Sequence, residues 1–328
     1  MTNDPRSPAE LFEELQLWPC QRRAVHSVIS YSEWFAGIAP GPSRPSMVVC
    51  MPTGSGKTAV IGSLARCVPQ FSTVVIVSPR IAVTDQLARE VCGRLFEKLG
   101  MDPSRIPKSV VRLRQPHGAD LDGVDVEDAV IMLTVQQLQT WHRDGRSPLE
   151  RLRSKASLHL FDEGHYEPAP AWSAAVREFS CPRVVFTATP FRNDFRLFNA
   201  DPNHSFFYSF GEAVTDNVIR DIEFETIQTQ RKPRHFVDRL FGLYEERIGA
   251  FAETNSRIII RCDSRESIYD LKAAVEARGV SCIAVHERMD PGGPMRSFVG
   301  FPTRKRRTLG CGFTSTSFLK ASTTCVSR

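Results

Sequence analysis

One stretch constrains the fold more than any other. Met47-Val48-Val49-Cys50 is a short apolar run that ends in Met51-Pro52-Thr53-Gly54-Ser55-Gly56-Lys57-Thr58, and a helical pattern follows over Thr58–Cys67. A buried strand, a glycine loop, Lys-Thr and a helix make up a phosphate loop. Gly54 and Gly56 let backbone N–H groups curl around an anion with no Cβ in the way. The helix directs its positive N-terminus at the same point. Thr53, Gly54, Ser55, Gly56, Lys57 and Thr58 are therefore expected to bind the phosphates of a nucleoside triphosphate. Lys57 would reach the terminal phosphates, and the Thr58 hydroxyl would ligate Mg²⁺. The first position of the strict pattern is glycine, and this chain has Met51 there.

Such a loop needs a parallel sheet around it, and the rest of the chain supplies one. Apolar runs recur at 73–77, 129–133, 158–161 and 184–186. Helical patterns recur at 82–99, 135–141 and 171–179. Two further helices are read before the loop, at 8–15 and 21–35, with a break at Trp18-Pro19. Buried strands alternating with helices predict a doubly wound α/β fold with helices on both faces. A second α/β unit is expected from about residue 235, with a helix at 233–251, a strand at 257–261, a helix at 264–278 and a strand at 281–285. The organisation read from sequence is thus 1–230, 235–295 and a basic, Ser/Thr-rich tail at 296–328. That tail has the texture of a truncated or frame-shifted end.

A second strand ends in chemistry. Leu158-His159-Leu160-Phe161 runs into Asp162-Glu163-Gly164-His165. Asp162 is expected to hold Mg²⁺, and Glu163 to orient and deprotonate the attacking water. In isolation an Asp-Glu pair at a strand end also reads as a loop start or helix cap. Behind a phosphate loop, the catalytic set is Lys57, Asp162 and Glu163.

Bulk charge does not point to nucleic acid. The net charge of +5 comes from 42 Lys and Arg against 37 Asp and Glu. Seven of the basic residues lie in 296–328, which has no acid; without them 35 face 37, a net of −2. The nine cysteines form no Cys-x-x-Cys pair, which fits reduced thiols in a cytoplasm. No apolar run approaches the roughly 20 residues a membrane span needs, so no membrane partner is expected.

The order of motifs resembles the superfamily 2 helicases of the DEAD/DEAH-box type, in the branch that includes restriction-enzyme motors. The resemblance covers about residues 10–290 and implies a RecA-like domain followed by the beginning of a second. Leu17-Trp18-Pro19-Cys20-Gln21 resembles the adenine-reading segment, which implies that Gln21 meets the base. Ser78-Pro79-Arg80 with Gln86-Leu87, and Leu133 to Leu138, resemble the two loops that touch the strand backbone; Pro79, Arg80 and Thr134 carry that implication. Asp162 to His165 resembles the acidic motif, with Gly164 where alanine is commoner. Thr187-Ala188-Thr189-Pro190 resembles the motif coupling hydrolysis to strand binding, which implies coupling roles for Thr187 and Thr189; His165, at the end of the acidic motif, is implied to couple as a γ-phosphate relay or between domains. Phe191 to Asp194 continues as in restriction-type motors, and Ile258 to Cys262 resembles the opening of the second motor domain.

Each accessory residue also has a plainer reading: Gln21 as a helix-start polar residue, Thr134 as an N-cap, Arg80 as a loop residue, His165 as a solvated histidine. Family members complete the site with an arginine finger from a Gln-x-x-Arg-x-x-Arg-like motif, and the sequence has no Gln after Gln230. The resemblance implies an ATP- and Mg²⁺-dependent motor on nucleic acid, DNA before RNA. The alternatives are an impaired nucleotide- or nucleic-acid-binding fragment, or the motor part of a restriction endonuclease working with a nuclease subunit.

Overall fold

A computed structural model of the chain describes residues 8–39, 41, 44–106, 108–114, 121, 124–144, 147–164, 179–189, 200–230, 232–250, 258–285, 295–296 and 311–314. The chain divides into two compact units, Met1–Arg220 and Asp221–Arg328.

The first unit is built on seven strands: β1 (Met47–Cys50), β2 (Thr73–Ser78), β3 (Ser109–Arg112), β4 (Ala129–Thr134), β5 (Ala156–Phe161), β6 (Arg183–Thr187) and β7 (Phe206–Phe207). All pair in parallel, in the order β3-β4-β2-β5-β6-β1-β7. The expected doubly wound sheet is borne out. β1, β2, β4 and β6 are buried along their whole length, because crossover helices leave no face of a parallel sheet in water. Two apolar clusters form, one on each face. Val49, Val74, Ile76 and Leu160 sit in the first, packed with helices α2 (Pro19–Ala36) and α3 (Lys57–Arg66). Val48, Val75, Val77 and Phe161 sit in the second, with α6 (Val135–Arg143) and α7 (Ser147–Lys155).

Helix α1 (Pro8–Glu14) precedes α2, which starts at Pro19. Proline suits a first helical position, since its missing N–H has no intrahelical partner there. Two elements were not anticipated, the edge strand β3 and helix α7. The single helix expected at 82–99 is also interrupted. It consists of α4 (Ile81–Arg89), a wider π-helical turn at Glu90–Arg94 and α5 (Leu95–Lys98). The cause lies in α3. Arg66 is buried, and its guanidinium donates to the carbonyls of Val91 at 3.1 Å and Cys92 at 2.9 Å. Carbonyls drawn toward an inserted side chain loosen the helical ladder locally. The expected helix at 171–179 lies outside the described residues save for Phe179. Helix α8 (Phe210–Thr215) closes the unit, capped by Ser209 and Glu212 in reciprocal bonds.

The second unit holds α9 (Pro233–Ile248), β8 (Ile259–Arg261), α10 (Arg265–Glu276), β9 (Cys282–Val285), β10 (Met295–Arg296) and β11 (Cys311–Thr314). Its strands are parallel, in the order β10-β9-β11-β8. Val237, Phe241, Tyr244, Ile260, Ile268 and Val275 form its core. The division between the two units falls at 220/221. The stretch read as an irregular tail contributes β10's last residue and β11, the latter between β8 and β9. Four residues are too few for periodicity to register them. Among the described residues, no helix is long and apolar enough to cross a membrane.

Candidate nucleotide site

Every strand of the first sheet runs the same way, so the loops after β1, β2, β4, β5 and β6 emerge at one edge. Open parallel sheets bind ligands outside the carboxyl ends of their strands. The phosphate loop follows β1. Met51, the departure from the strict pattern, has its side chain fully buried in the core cluster. Its N–H donates to the Thr187 carbonyl at 3.0 Å. It is not among the residues with positive φ, so glycine is not required there.

Gly56 is different. Its φ is 80°, and it caps α3 in the left-handed region. A Cβ on it would also collide with the Gln21 amide nitrogen. Ser55 is buried and donates its hydroxyl to the Pro52 carbonyl at 2.7 Å. Thr53 and Gly54 are exposed on the open side of the loop, while Thr58 is half-buried at the start of α3.

Lys57 folds back on its own loop. Its Nζ donates to the Met51 carbonyl at 3.0 Å and the Pro52 carbonyl at 3.3 Å. Burial lowers its pKa, and the carboxylates of Glu163 and Asp162, with Cys50, oppose that shift. The lysine and both acids of the sequence reading therefore share one electrostatic neighbourhood.

The acidic pair leaves β5 under tension. The Asp162 N–H still donates to the Val77 carbonyl of β2, at 2.9 Å. The Asp162 side chain then accepts the Glu163 N–H at 3.0 Å. Glu163 has φ of 55°, a left-handed backbone that a non-glycine residue adopts at some cost. Such strain clusters at functional sites. Gly164 explains its own presence. A Cβ there would strike the Val185 side chain and lie 3.3 Å from the Phe186 carbonyl, both in β6.

Thr187 ends β6 and is fully buried. Its hydroxyl donates to the Thr189 carbonyl at 2.9 Å and accepts the Thr189 N–H at 3.1 Å. This closed turn directly follows the carbonyl that holds Met51. His165 lies outside the described residues.

Gln21 is buried at the start of α2. Its Oε1 accepts the Trp18 N–H at 3.0 Å, and its Nε2 donates to the Ser55 carbonyl at 3.1 Å. It is thus both the helix-start residue of the plainer reading and a neighbour of the phosphate loop. Trp18, 44% exposed, flanks it and would come 3.8 Å from a Cβ on Gly56.

At the other half of the edge, Pro79 is half-buried and Arg80 exposed, just before α4. Thr134 is buried and caps α6: it accepts the Gln137 N–H at 3.3 Å, while Gln137 Oε1 accepts the Thr134 N–H at 2.9 Å. The Thr-x-x-Gln spacing carried that signal. Sequence reasoning missed the cluster beside it, Asp85, Arg112 and Arg114, because no motif covers β3. Among the described residues no group of three His, Cys, Asp or Glu is placed to hold a metal ion on its own. A Mg²⁺ ion would need Thr58, Asp162 and phosphate oxygens together.

A family model described as "Type III restriction enzyme, res subunit" matches residues 14–192. No curated protein matches the chain. Among solved structures, Saccharomyces cerevisiae Dbp5 bound to RNA and ADP BeF3 is similar with a TM-score of 0.50 and 14% identity, over 92% of this chain and 75% of that one. Escherichia coli DEAH/RHA helicase HrpB gives 0.48 and 15%, over 83% and 32%. A nuclease-deletion mutant of the Type ISP restriction-modification enzyme LlaGI, in complex with a DNA substrate mimic, gives 0.42 and 14% over 70% of this chain. The chain spans 22% of that LlaGI polypeptide. At these identities the likeness is one of fold.

Proposed function

We propose, for a chain that belongs to the type III restriction enzyme res-subunit family, that its first unit binds and hydrolyses ATP with Mg²⁺ to drive movement on nucleic acid, DNA before RNA. The chain is a superfamily 2 helicase-type protein in family and fold. The observation that carries the step to ATP is the convergence of Lys57, Asp162 and Glu163 at one sheet edge, with Met51 bonded to Thr187 beside them.

Each residue has a task that its surroundings fit. Lys57 would exchange two neutral carbonyl partners for anionic phosphate oxygens, which adds ion-pair attraction to the hydrogen bonds. Backbone N–H groups from Gly54 to Thr58 would cradle the phosphates, with Gly56 free of the Cβ that Gln21 would obstruct. Thr58 and Asp162 would hold Mg²⁺, which when bound neutralises charge on the phosphate oxygens. Glu163, turned out of the strand by its left-handed backbone, would take the proton of the attacking water. Thr187 and Thr189 would report loop movement into β6, because the Thr187 carbonyl holds the Met51 N–H. Pro79 and Arg80 would face the strand backbone. Thr134 would contribute through the placement of α6, since its side chain is committed to the cap. His165 and Gln21 keep their proposed roles toward the γ-phosphate and the base. DNA is preferred to RNA because the family is that of a restriction subunit, which also makes a nuclease or other restriction-system subunit the expected partner. A cytoplasmic site of action follows from that pairing.

A second reading is a nucleotide- or nucleic-acid-binding unit with impaired turnover, and it is favoured by Lys57, whose Nζ is already bonded to the Met51 and Pro52 carbonyls of its own loop. The test is Mg²⁺-dependent ATP hydrolysis with and without duplex DNA, beside Glu163→Gln. DNA-stimulated hydrolysis that disappears in the variant supports the motor. ATP binding without stimulated turnover supports the second reading. Hydrolysis undiminished in Glu163→Gln refutes the site.

A further inference from the structure

We infer that Ile219 is a positioning residue for the phosphate loop, holding Gly54 in place and tying nucleotide occupancy to the chain's exit from the first unit; the inference rests on the nucleotide reading above. Ile219 Cγ2 lies 3.4 Å from the point that a Cβ on Gly54 would occupy, so the isoleucine covers the flank that the glycine leaves bare. Gly54 has φ of 91° and stands on the exposed side of the loop. The side-chain bonds that fix the loop fall to either side of it. Ser55 donates its hydroxyl to Pro52 and accepts from Gln21, and Lys57 reaches Met51 and Pro52. A backbone N–H that is to meet a phosphate cannot also be committed to a protein carbonyl. Apolar packing from Ile219 holds Gly54 without using its N–H.

The placement of Ile219 is built into the end of α8. The Val218 N–H donates to the Ala213 carbonyl at 2.9 Å, and the Asn217 N–H to the Val214 carbonyl at 3.0 Å. Asn217 has φ of 55°. These are the paired bonds of a Schellman turn, with asparagine in the left-handed position that glycine commonly takes. The Ile219 N–H adds a third bond, 3.1 Å to the same Ala213 carbonyl. Asp216, at the helix cap, accepts the Tyr208 hydroxyl at 2.9 Å. Tyr208 is itself fixed to β1, its N–H donating to the Cys50 carbonyl at 2.9 Å. The phosphate loop begins at the next residue, so the turn that presents Ile219 is pinned to the strand that carries the loop. Val218 and Ile219 are partly buried against the core cluster that holds Met51. Arg220, which follows, is exposed and is the last residue of the first unit. Coupling between sites is reciprocal. Whatever affinity Ile219 adds for nucleotide, bound nucleotide returns as stability of the turn and of the chain up to Arg220.

The test uses the full chain with Mg²⁺ and a fluorescent derivative of the non-hydrolysable ATP analogue AMP-PNP. It reads the dissociation constant and, by mass spectrometry, the rate of tryptic cleavage after Arg220 with and without saturating analogue. Ile219→Ala removes Cγ2 and is expected to weaken binding about fivefold, the worth of a partly buried aliphatic side chain. The analogue should slow cleavage of the wild type by about the same factor and leave that of Ile219→Ala unchanged. Ile219→Val keeps Cγ2 and should match the wild type in both readouts. So should Val110→Ala, whose valine is also partly buried against the same cluster but on β3, at the far end of the sheet. Wild-type affinity in Ile219→Ala overturns the inference while leaving the nucleotide reading intact. So does analogue protection that survives in Ile219→Ala or is missing from the wild type. An equal loss of affinity in Val110→Ala overturns it as well, since that would mean general loosening of the unit, and an equal loss in Ile219→Val would take the contact away from Cγ2. A wild-type chain that does not bind the analogue removes the nucleotide reading itself, and this inference with it.

Discussion

Gly164→Ala tests the fit between the acidic loop and the neighbouring strand. The added Cβ would strike the Val185 side chain and lie 3.3 Å from the Phe186 carbonyl. Both residues are fully buried in β6, which is held on one side by β5 and on the other by β1. The strand cannot slide without breaking two ladders, so the upper part of the usual overpacking range applies, about 2–3 kcal/mol. Val185→Ala alone removes two buried methyl groups and costs about 2 kcal/mol. In the double variant the alanine methyl at 164 enters the space vacated at 185. The two changes should then couple by about 1–2 kcal/mol, the double variant being more stable than the sum predicts. Urea unfolding followed by tryptophan fluorescence is the assay. All four tryptophans fall between residues 18 and 172, so emission reports the first unit alone. A Gly164→Ala cost below about 0.5 kcal/mol, or strict additivity in the cycle, would refute the packing argument. It would also leave the glycine of this motif without a physical cause.

Two further outcomes follow from buried polar groups. His159 is fully buried between Phe161 and Phe179, with ring centroids 4.2 and 4.1 Å away and, among the described residues, no hydrogen-bond partner on either nitrogen. Burial, then the Arg183 charge, holds its pKa well below the usual value. The unfolded chain takes the proton near pH 6.5 and the folded chain does not, so stability falls as pH drops. From pH 7.5 to 5.5 the loss from this group is about 1.4 kcal/mol; His159→Phe should abolish that component in urea titrations at the two pH values, and an unaltered pH difference would exclude it. Arg66 donates to the carbonyls of Val91, Cys92, Ile106 and Lys108 at 2.7–3.1 Å and lies over the Phe96 ring. Arg66→Met strands those carbonyls and should cost about 3 kcal/mol or more by the same fluorescence assay; a loss under about 1 kcal/mol would show that the π-helical turn has another origin.

What was legible before the structure was what is local. β1, β2, β4, β5 and β6 are continuous apolar runs, and their limits in the structure differ from the sequence reading by at most two residues. The phosphate loop is likewise contiguous, and it lies between β1 and α3, the strand and helix that the spacing predicts. β3 escaped notice because Ser-Val-Val-Arg is a short edge strand, followed by a basic stretch. α7 escaped because Ser-Pro-Leu-Glu-Arg-Leu-Arg-Ser-Lys shows only Leu149 and Leu152 as buried apolar positions. The break in the helix at 90–94 depends on Arg66, more than twenty residues away, and no local pattern encodes it. Gln21 illustrates the same limit within the site: its place beside the loop comes from Ser55, 34 residues distant. Gly164 could be read as a departure from family habit but not understood until Val185 stood next to it.

The strand order also says how the two proposed activities meet. The phosphate loop, the acidic pair and Thr187 follow β1, β5 and β6, which are contiguous; the loops proposed to hold the nucleic acid follow β4 and β2, which are neighbours. The two groups touch along a single seam, β2 against β5. At its upper end the Asp162 N–H donates to the Val77 carbonyl, one residue before Ser78-Pro79-Arg80. A backbone shift at Glu163, whose left-handed geometry is strained to begin with, therefore reaches Arg80 through one hydrogen bond and three residues. The route through Thr187 runs the other way, to Met51 and the phosphate loop. In this arrangement β5 is the element both sites share, and packing at Gly164 governs its upper end. Substitutions there should alter the communication between nucleotide and strand, whereas substitutions at the Thr134 cap after β4 should alter only the grip.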